Sequence, residues 1–293
     1  MTGAALPIES AEVQSPRQRW QIPLGLLWLV PGLIVIFALF IVPFALVYWT
    51  SLTEPAPGLQ NYEAIIHNPL YAKVLRNTVV SAFWTTVLCL LIGYPLAYAI
   101  FRLRGWPRFV LLGSVLFAYA VGTVPRTFAW LVVLGDRGLV NQVWTTASGA
   151  KPIPLLYNQS GVLIGMVHIM LPFMTLMLLG AMARVNPNLV PAARTLGASP
   201  LRAFFSVFVP QTRPGVIAGA MLIFIYSLGF YVIPAVLGGS TQTTIVMQIQ
   251  SLVLEIGRWG LGAALSGILV IFAIIGSAIY VRVTGLTNVY SRD

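Results

Sequence analysis

The side chains that could act as acids, bases, nucleophiles or metal ligands are few and scattered in this chain. Of its 293 residues only 7 are Asp or Glu, 2 are His and 1 is Cys. The acids all fall in predicted tails or loops, and no HExxH, GxSxG, P-loop or CxxC pattern occurs. Because catalysis needs such groups at close spacing, the sequence does not predict an enzyme.

Three isolated residues nevertheless stand out, because each lies in an apolar run. Cys89 has no partner for a disulfide within the chain, and we expect it to be a small buried hydrophobe. His168 is interpreted as a packing and hydrogen-bonding residue between helices rather than as a catalytic group. Arg126 follows a proline, and a charge there needs water, a carboxylate or backbone carbonyls. It either lines a cavity or its gate, or it snorkels toward the outer headgroups.

The elements that must position these residues are long apolar segments. Hydrophobic residues make up 58% of the chain and charged residues 8%, whereas about a quarter of the residues in a soluble domain are charged. The runs are continuously apolar, which favours membrane-spanning helices over a barrel, and Pro31, Pro43 and Pro125 predict kinks or interfacial extensions. Six runs reach the roughly 20 residues that cross a bilayer: 23–49, 79–101, 109–134, 162–182, 216–237 and 261–281.

The distribution of basic residues predicts the orientation of these spans. With the N-terminus in the cytoplasm, the inner segments carry eleven Lys or Arg and the outer loops carry five, which supports N-in and C-in. The net charge of +10 then reflects topology and contact with anionic lipid, and the scattered basic residues do not predict a nucleic-acid surface. We expect residues 1–22 and 285–293 to be cytoplasmic tails around a transmembrane domain at 23–284.

The most informative segment is PAARTLGASPLRAFFSVFVP, residues 191–210, which is too polar to span a bilayer. Pro191 suits the first turn of a short helix, and Gly197 ends that helix at a turn. Ser199 can cap a second helix, with Pro200 at its first position, over 201–208 until Pro210 and Pro214 end it. The result is a glycine elbow along the cytoplasmic face, which is either a docking element or a simple connector.

This segment resembles the EAA loop of ABC-importer permeases, whose pattern is Glu-Ala-Ala, three residues, Gly, nine residues, Ile, one residue, Leu-Pro. Ala192, Ala193 and Gly197 match it, as do the V-x-VP residues that end at Pro210. Pro191 replaces the usual Glu, so the chain lacks one carboxylate contact with the ATPase or with the loop itself.

Three more segments, 124–142, 155–174 and 227–239, resemble the first permease of spermidine/putrescine-type importers. The resemblance runs from about Leu24 to Val281. It implies an all-α, six-helix, MetI-like type I permease in the bacterial cytoplasmic membrane, with the coupling loop at 184–214. It also implies a second homologous permease, two ATPase subunits that bind ATP and Mg²⁺, an extracytoplasmic binding protein, and no cofactor in this chain.

The resemblance also implies two sets of site residues. The substrate path is expected to offer aromatic faces to an amine, although such residues are often core or interface residues. The expected ATPase contact comprises Pro191, Ala192, Ala193, Arg194 and Gly197, with Leu201 and Phe204 as apolar support. The expected substrate path comprises Arg126, Trp130, Tyr226, Phe230, Tyr231 and, in an outer loop, Glu255.

The sequence leaves two interpretations of the identity of the solute. No predicted span contains an acid, and Arg126 would repel a polycation. Either the binding protein recognises the polyamine and the permease is weakly selective, or the solute is of another class, such as an opine, a phosphonate, an amino-acid-like solute or ferric iron. An ion-coupled secondary transporter would show intramembrane acids and internal repeats, and a membrane-embedded enzyme would show polar catalytic pairs.

Overall fold

The computed structural model describes residues 29–284, and these residues form helices without a β-strand. Three π-helical turns, Phe204–Phe208, Pro234–Gly238 and Ser251–Glu255, and a 3-10 turn, Gly239–Gln242, interrupt the α-helices. The α-helices are α1 (Val30–Thr53), α2 (Gln60–His67), α3 (Pro69–Arg102), α4 (Trp106–Ala120), α5 (Thr123–Leu134), α6 (Leu139–Ser148), α7 (Gln159–Ala183), α8 (Leu189–Thr195), α9 (Pro200–Ala203), α10 (Val209–Leu228), α11 (Ile245–Gln250) and α12 (Trp259–Thr284).

Five helical segments in the described part of the chain are long and apolar enough to cross a membrane, and a bent pair of helices makes a sixth. Five of the predicted spans correspond to α1, α3, α7, α10 and α12. The predicted start of the first span, at 23–28, and both predicted tails lie outside the described residues. The helix α3 begins ten residues before its predicted span, at Pro69, because Asn68 caps it by accepting a hydrogen bond from the Leu70 N–H at 3.0 Å.

The third predicted span, 109–134, is wrong as a single helix. The helix α4 ends at Ala120, and the segment Thr123–Ser148 runs at 101° to it. Pro125 explains the break, since it has no N–H to donate to the carbonyl of Val121 and its ring would collide with that carbonyl. The predicted kink is therefore confirmed in a stronger form, as a broken span or a re-entrant segment.

The fifth predicted span, 216–237, is displaced along the chain. The helix α10 ends at Leu228, and Pro210 and Pro214 lie within its first two turns instead of ending the helix before it. The π-helical turn that precedes it accommodates Pro210, because the Val209 N–H bonds to the carbonyl of Phe204, five residues earlier. The loop therefore continues into the membrane as one helical segment, Pro200–Leu228.

The main hydrophobic core lies where α3, α7 and α10 pack together, with Cys89, Met174, Leu178 and Ile223 fully buried. Cys89 is confirmed as a buried hydrophobe, and its thiol contacts the carbonyl of Val167 at 3.7 Å. A second core joins α2, α3, α11 and α12. From Val30 to Leu46 every side chain of α1 is exposed, which suits a helix that lipid or a partner covers.

Candidate functional site

The elbow of the loop 184–214 is built by the backbone at the end of α8. The Gly197 N–H donates to the carbonyl of Arg194 and the Ala198 N–H donates to that of Ala193, both at 3.0 Å. This pair of hydrogen bonds is the Schellman motif, which needs a left-handed residue at the position of its first donor. Gly197 supplies it with a φ of +90°. The predicted glycine turn is confirmed.

The second helix of the elbow begins as the sequence predicts. The Ser199 hydroxyl accepts a hydrogen bond from the Arg202 N–H at 3.3 Å, and Pro200 occupies the first helical turn. The Pro ring has a fixed φ and no N–H to leave unpaired, so it suits this position. The elbow thus joins two helical segments, the short α8 and the long segment Pro200–Leu228.

The outer surface of the elbow is apolar and uncovered. Leu196 is 89% exposed, Leu201 is 72% exposed and Phe205 is 64% exposed. Such a concentration of large apolar side chains on a polar loop marks a protein-binding surface. The sequence identified Leu201 but missed Leu196 and Phe205, since an apolar residue near a helix end carries no signal that separates a partner surface from a core. Of the other predicted contact residues, Pro191, Ala192, Arg194 and Gly197 are exposed and Ala193 is half-buried.

The inner surface of the elbow is anchored by aromatic rings. Phe204 packs edge-on against Tyr98 at 4.9 Å between centroids and stacks on Phe208 at 5.7 Å. Tyr94 lies on the same face of α3, and its hydroxyl is 2.9 Å from that of Thr212 in α10. Phe204 therefore holds the loop against α3, whereas Leu201 projects to solvent.

Two of the predicted path residues lie together near the break in the third span. Arg126 is in the first turn of α5, and its Nε donates to the carbonyl of Gly122 at 3.3 Å. Trp130, one turn further, packs edge-on against His168 of α7 with 5.4 Å between ring centroids. One terminal nitrogen of Arg126 and Nδ1 of His168 are buried without a partner among the described residues. His168 is thus confirmed as a packing residue between α5 and α7, whereas its buried Nδ1 makes no hydrogen bond within the described residues.

The remaining predicted path residues divide into two places. Phe230 is in the same core cluster as Trp130, and Tyr231 follows it just beyond the end of α10. Tyr226, in the last turn of α10, is 57% exposed and stacks on Phe173 at 6.0 Å. Glu255 is not brought to this cluster. It ends a turn whose Leu252 packs into the second core, and its carboxylate accepts from the Ser251 hydroxyl at 2.7 Å.

With this geometry described, comparison with known proteins is decisive for the family. Residues 89–289 match the family described as the binding-protein-dependent transport system inner membrane component. The chain belongs to this family. It is a permease subunit of an ABC importer and a multi-pass protein of the inner membrane, and the matched region includes the loop 184–214.

Relatives of this permease are named for two kinds of transport system. It is 34% identical, over 78% of its length and 80% of the relative, to the spermidine/putrescine transport system permease protein PotB of Haemophilus influenzae. It is 27% identical, over 77% of its length and 80% of the relative, to PhnU of Salmonella typhimurium, a permease named for 2-aminoethylphosphonate transport.

A solved structure shows the fold of this permease. A bacterial ABC transporter involved in the import of the acidic polysaccharide alginate matches with a TM-score of 0.73 over 89% of this chain and 96% of that one, at 17% identity. The predicted MetI-like all-α fold is therefore confirmed. As a member of this family, the permease works with the general partners of an ABC importer, a binding protein and ATPase subunits.

Proposed function

We propose that this permease pairs with a second, homologous permease and that the two form the path for a polyamine such as spermidine or putrescine. An extracytoplasmic binding protein delivers the solute, and two ATPase subunits bind ATP and Mg²⁺ and drive the cycle. In this proposal the chain has no catalytic role and no cofactor of its own. The observation that carries it is the 34% identity to a spermidine/putrescine permease over 78% of the chain.

The exposed apolar surface of the elbow supports contact with the ATPase. When two ATPase subunits close on nucleotide, a helix seated in one of them moves as a rigid body. Here the moving helix is α8, and Gly197 joins it to the continuous segment Pro200–Leu228. At 1.5 Å per residue that segment is about 43 Å long, enough to cross the membrane. The displacement of the elbow is thus carried from the cytoplasm toward the outer half of the path.

The outer end of the segment Pro200–Leu228 lies beside the expected substrate path. The helix α10 ends at Leu228, and Phe230 and Tyr231 follow directly. Phe230 belongs to the same core cluster as Trp130, so a movement of α10 alters the aromatic surroundings of the break in the third span. Aromatic faces attract ammonium groups without fixing a particular amine. Because none of α1, α3, α4, α5, α7, α10 and α12 contains an acid, and Asp136 lies between α5 and α6, we assign selectivity mainly to the binding protein.

Uptake by the complete importer tests the proposal. The permease pair, its ATPase and its binding protein are reconstituted in vesicles, and accumulation of radiolabelled putrescine and spermidine is measured with ATP or with a non-hydrolysable analogue. We expect accumulation that requires both ATP hydrolysis and the binding protein. Accumulation that needs neither would contradict the ABC mechanism, and ATP-dependent accumulation of a different solute only would contradict the polyamine assignment.

A second candidate solute is a zwitterion that carries a phosphonate or a carboxylate. The observation that favours it is the unpaired terminal nitrogen of Arg126 beside His168, since a guanidinium binds such anions in bidentate fashion. The likeness to a permease named for 2-aminoethylphosphonate transport agrees with it. Radiolabelled 2-aminoethylphosphonate in the same uptake experiment distinguishes the two candidates.

A further inference from the structure

A cavity of about 680 Å³ lies on the inner side of the elbow, between the end of α3, the turn after α7 and the two short loop helices. Three arginines, Arg102, Arg104 and Arg194, contribute to its lining, and Pro191 lies beside them. We call this space the arginine cavity. Four aromatic rings also line it, those of Tyr98, Phe101, Phe204 and Phe208.

The arginine cavity has no internal counter-charge. The sequence contains no acid between Glu63 and Asp136, or between Asp136 and Glu255, so none of the segments that line the cavity carries a carboxylate. The position at which the EAA pattern has Glu is occupied by Pro191, which lines the cavity itself. Three positive charges around one cavity repel one another unless an anion from elsewhere enters it.

The position of the cavity in the fold indicates where that anion comes from. Arg102 is in the last turn of the membrane-spanning α3, and its guanidinium carbon lies 6.0 Å from the ring centroid of Tyr98. Four residues after Arg102, Trp106 stacks on Phe109 with 5.8 Å between centroids, and both rings are exposed. Exposed aromatic side chains at the end of a span mark the headgroup region of the bilayer. The cavity thus lies at the depth of the cytoplasmic headgroups.

We propose that the arginine cavity binds the phosphate headgroup of an anionic phospholipid of the cytoplasmic leaflet. Guanidinium groups donate paired hydrogen bonds to phosphate oxygens, and basic pockets at the inner ends of spans bind such headgroups. The aromatic rings suit the apolar part of the lipid next to its headgroup. Because α3 and α8 both line the cavity, a bound headgroup holds the elbow at a fixed position against the span.

A carboxylate of the ATPase fits these observations less well. Pro191, Arg194 and Phe204 of the expected ATPase contact do line the cavity, but two of its three arginines, Arg102 and Arg104, belong to the end of α3 and the residues that follow it. The large exposed apolar side chains, Leu196, Leu201 and Phe205, do not line it. The cavity and the apolar surface are therefore separate parts of the same loop. The inference rests on the proposed function only in placing this loop on the cytoplasmic side.

Native mass spectrometry of the purified, complete importer tests the proposal directly. Dioleoylphosphatidylglycerol and dioleoylphosphatidylcholine are titrated separately onto delipidated complex. We expect tighter binding of the anionic lipid to wild type, and a loss of affinity of about five-fold for each arginine removed in Arg102→Gln/Arg104→Gln. Arg213→Gln, an exposed arginine of the same loop outside the cavity, serves as the matched control and retains wild-type affinity.

Pro191→Glu provides an independent variant that removes no arginine. A carboxylate at this position lies on the cavity lining and in the first turn of α8, where the helix dipole favours it. We expect it to lower the affinity for phosphatidylglycerol and to leave that for phosphatidylcholine unchanged. Competition with soluble glycerol phosphate separates the sources of the anion, since a lipid site retains phosphatidylglycerol at millimolar competitor and a site for free phosphate loses it.

Three results would overturn the lipid assignment: equal affinity for both lipids, unchanged phosphatidylglycerol binding in Arg102→Gln/Arg104→Gln, or displacement by glycerol phosphate. Loss of the ATPase from that double variant in phosphatidylcholine alone would also overturn it, because the cavity would then be a protein contact. The mass-spectrometric measurement of lipid binding does not depend on whether the importer transports a solute. If the proposed function is wrong, polyamine uptake is absent while the preference for anionic lipid remains. If the lipid inference is wrong, uptake is present while that preference is absent.

Discussion

The phenyl ring of Phe204 packs edge-on against the ring of Tyr98, with their centroids 4.9 Å apart, while the next residue, Phe205, is 64% exposed. The rings of these consecutive phenylalanines meet edge-on, with centroids 5.1 Å apart, but only Phe204 is covered by α3. Phe204 joins the loop to the span α3, and Phe205 lies on the surface that the ATPase is proposed to cover. The turn therefore links a contact outside the permease to a packing interaction within it.

Alanine variants of these two residues should have different effects. Phe204→Ala removes the aromatic contact with Tyr98, which is worth about 1 kcal/mol beyond the area it buries, so the loop loses its attachment to α3. We expect the ATPase to co-purify with this variant but to lose most of its stimulation by loaded binding protein. Phe205→Ala should instead weaken co-purification. If both variants behaved alike in the two assays, the inner and outer sides of the turn would not have separate roles.

The elbow at Gly197 gives a second prediction. A Cβ at position 197 meets no neighbouring atom, but Gly197→Leu must adopt a φ of +90°, which costs about 1–2 kcal/mol for a residue with a Cβ. We expect the end of α8 to rearrange and transport to fall at least ten-fold while the complex stays in the membrane. Gly180→Leu, in α7, serves as the matched control, since a Cβ there also meets no neighbouring atom and the position has no positive φ. Substrate-stimulated ATP hydrolysis at the wild-type rate in Gly197→Leu would refute the elbow as the coupling element.

The elbow could be predicted from the sequence because each residue that forms it acts on the backbone next to it. Ser199 and Pro200 determine a helix start, and Gly197 determines a helix end, each through its own backbone preference. The exposed Leu196 was missed, since an apolar residue near a helix end has no pattern that tells a partner surface from a core. That distinction depends on α3, which lies about a hundred residues earlier and covers Phe204 but not Leu196.

The errors in the spans have a different origin. Apolar composition locates membrane segments but does not show where a helix breaks inside one. In the sequence, the prolines indicated where a helix could break, but two of them have opposite effects in the structure. Pro125 follows a break of 101°, whereas Pro210 lies within a continuous segment because a π-helical turn precedes it. The choice between these outcomes depends on packing against other helices, which a single sequence does not display.

Close packing of α7 and α10 gives a third prediction. A Cβ built on Gly215 would overlap the side chain of Ala181. We expect Gly215→Ala to destabilise the fold by about 1–3 kcal/mol through overpacking, and Ala181→Gly to restore part of that loss in the double variant. The only cysteine, Cys89, is buried in the same core, so the rate of its labelling by a maleimide reports unfolding. Gly113→Ala, which meets no neighbouring atom, is the control. Equal labelling rates in Gly215→Ala and Gly113→Ala would show that the two helices can separate without cost.

Arg126 gives the prediction that separates the two candidate solutes. If the path carries a polyamine, Arg126→Gln removes a like charge whose repulsion is about 1 kcal/mol in a partly hydrated cavity, and KM for putrescine uptake should fall about five-fold. The variant should leave co-purification with the ATPase unchanged, since Arg126 lies at the break in the third span and not on the loop. Arg137→Gln, an exposed arginine beyond the end of α5, controls for the general loss of a positive charge. An increase in KM, with 2-aminoethylphosphonate transported by wild type, would instead identify Arg126 as the counter-charge of an anionic group. A KM equal to that of Arg137→Gln would place Arg126 outside the path, as an arginine that extends toward the outer headgroups.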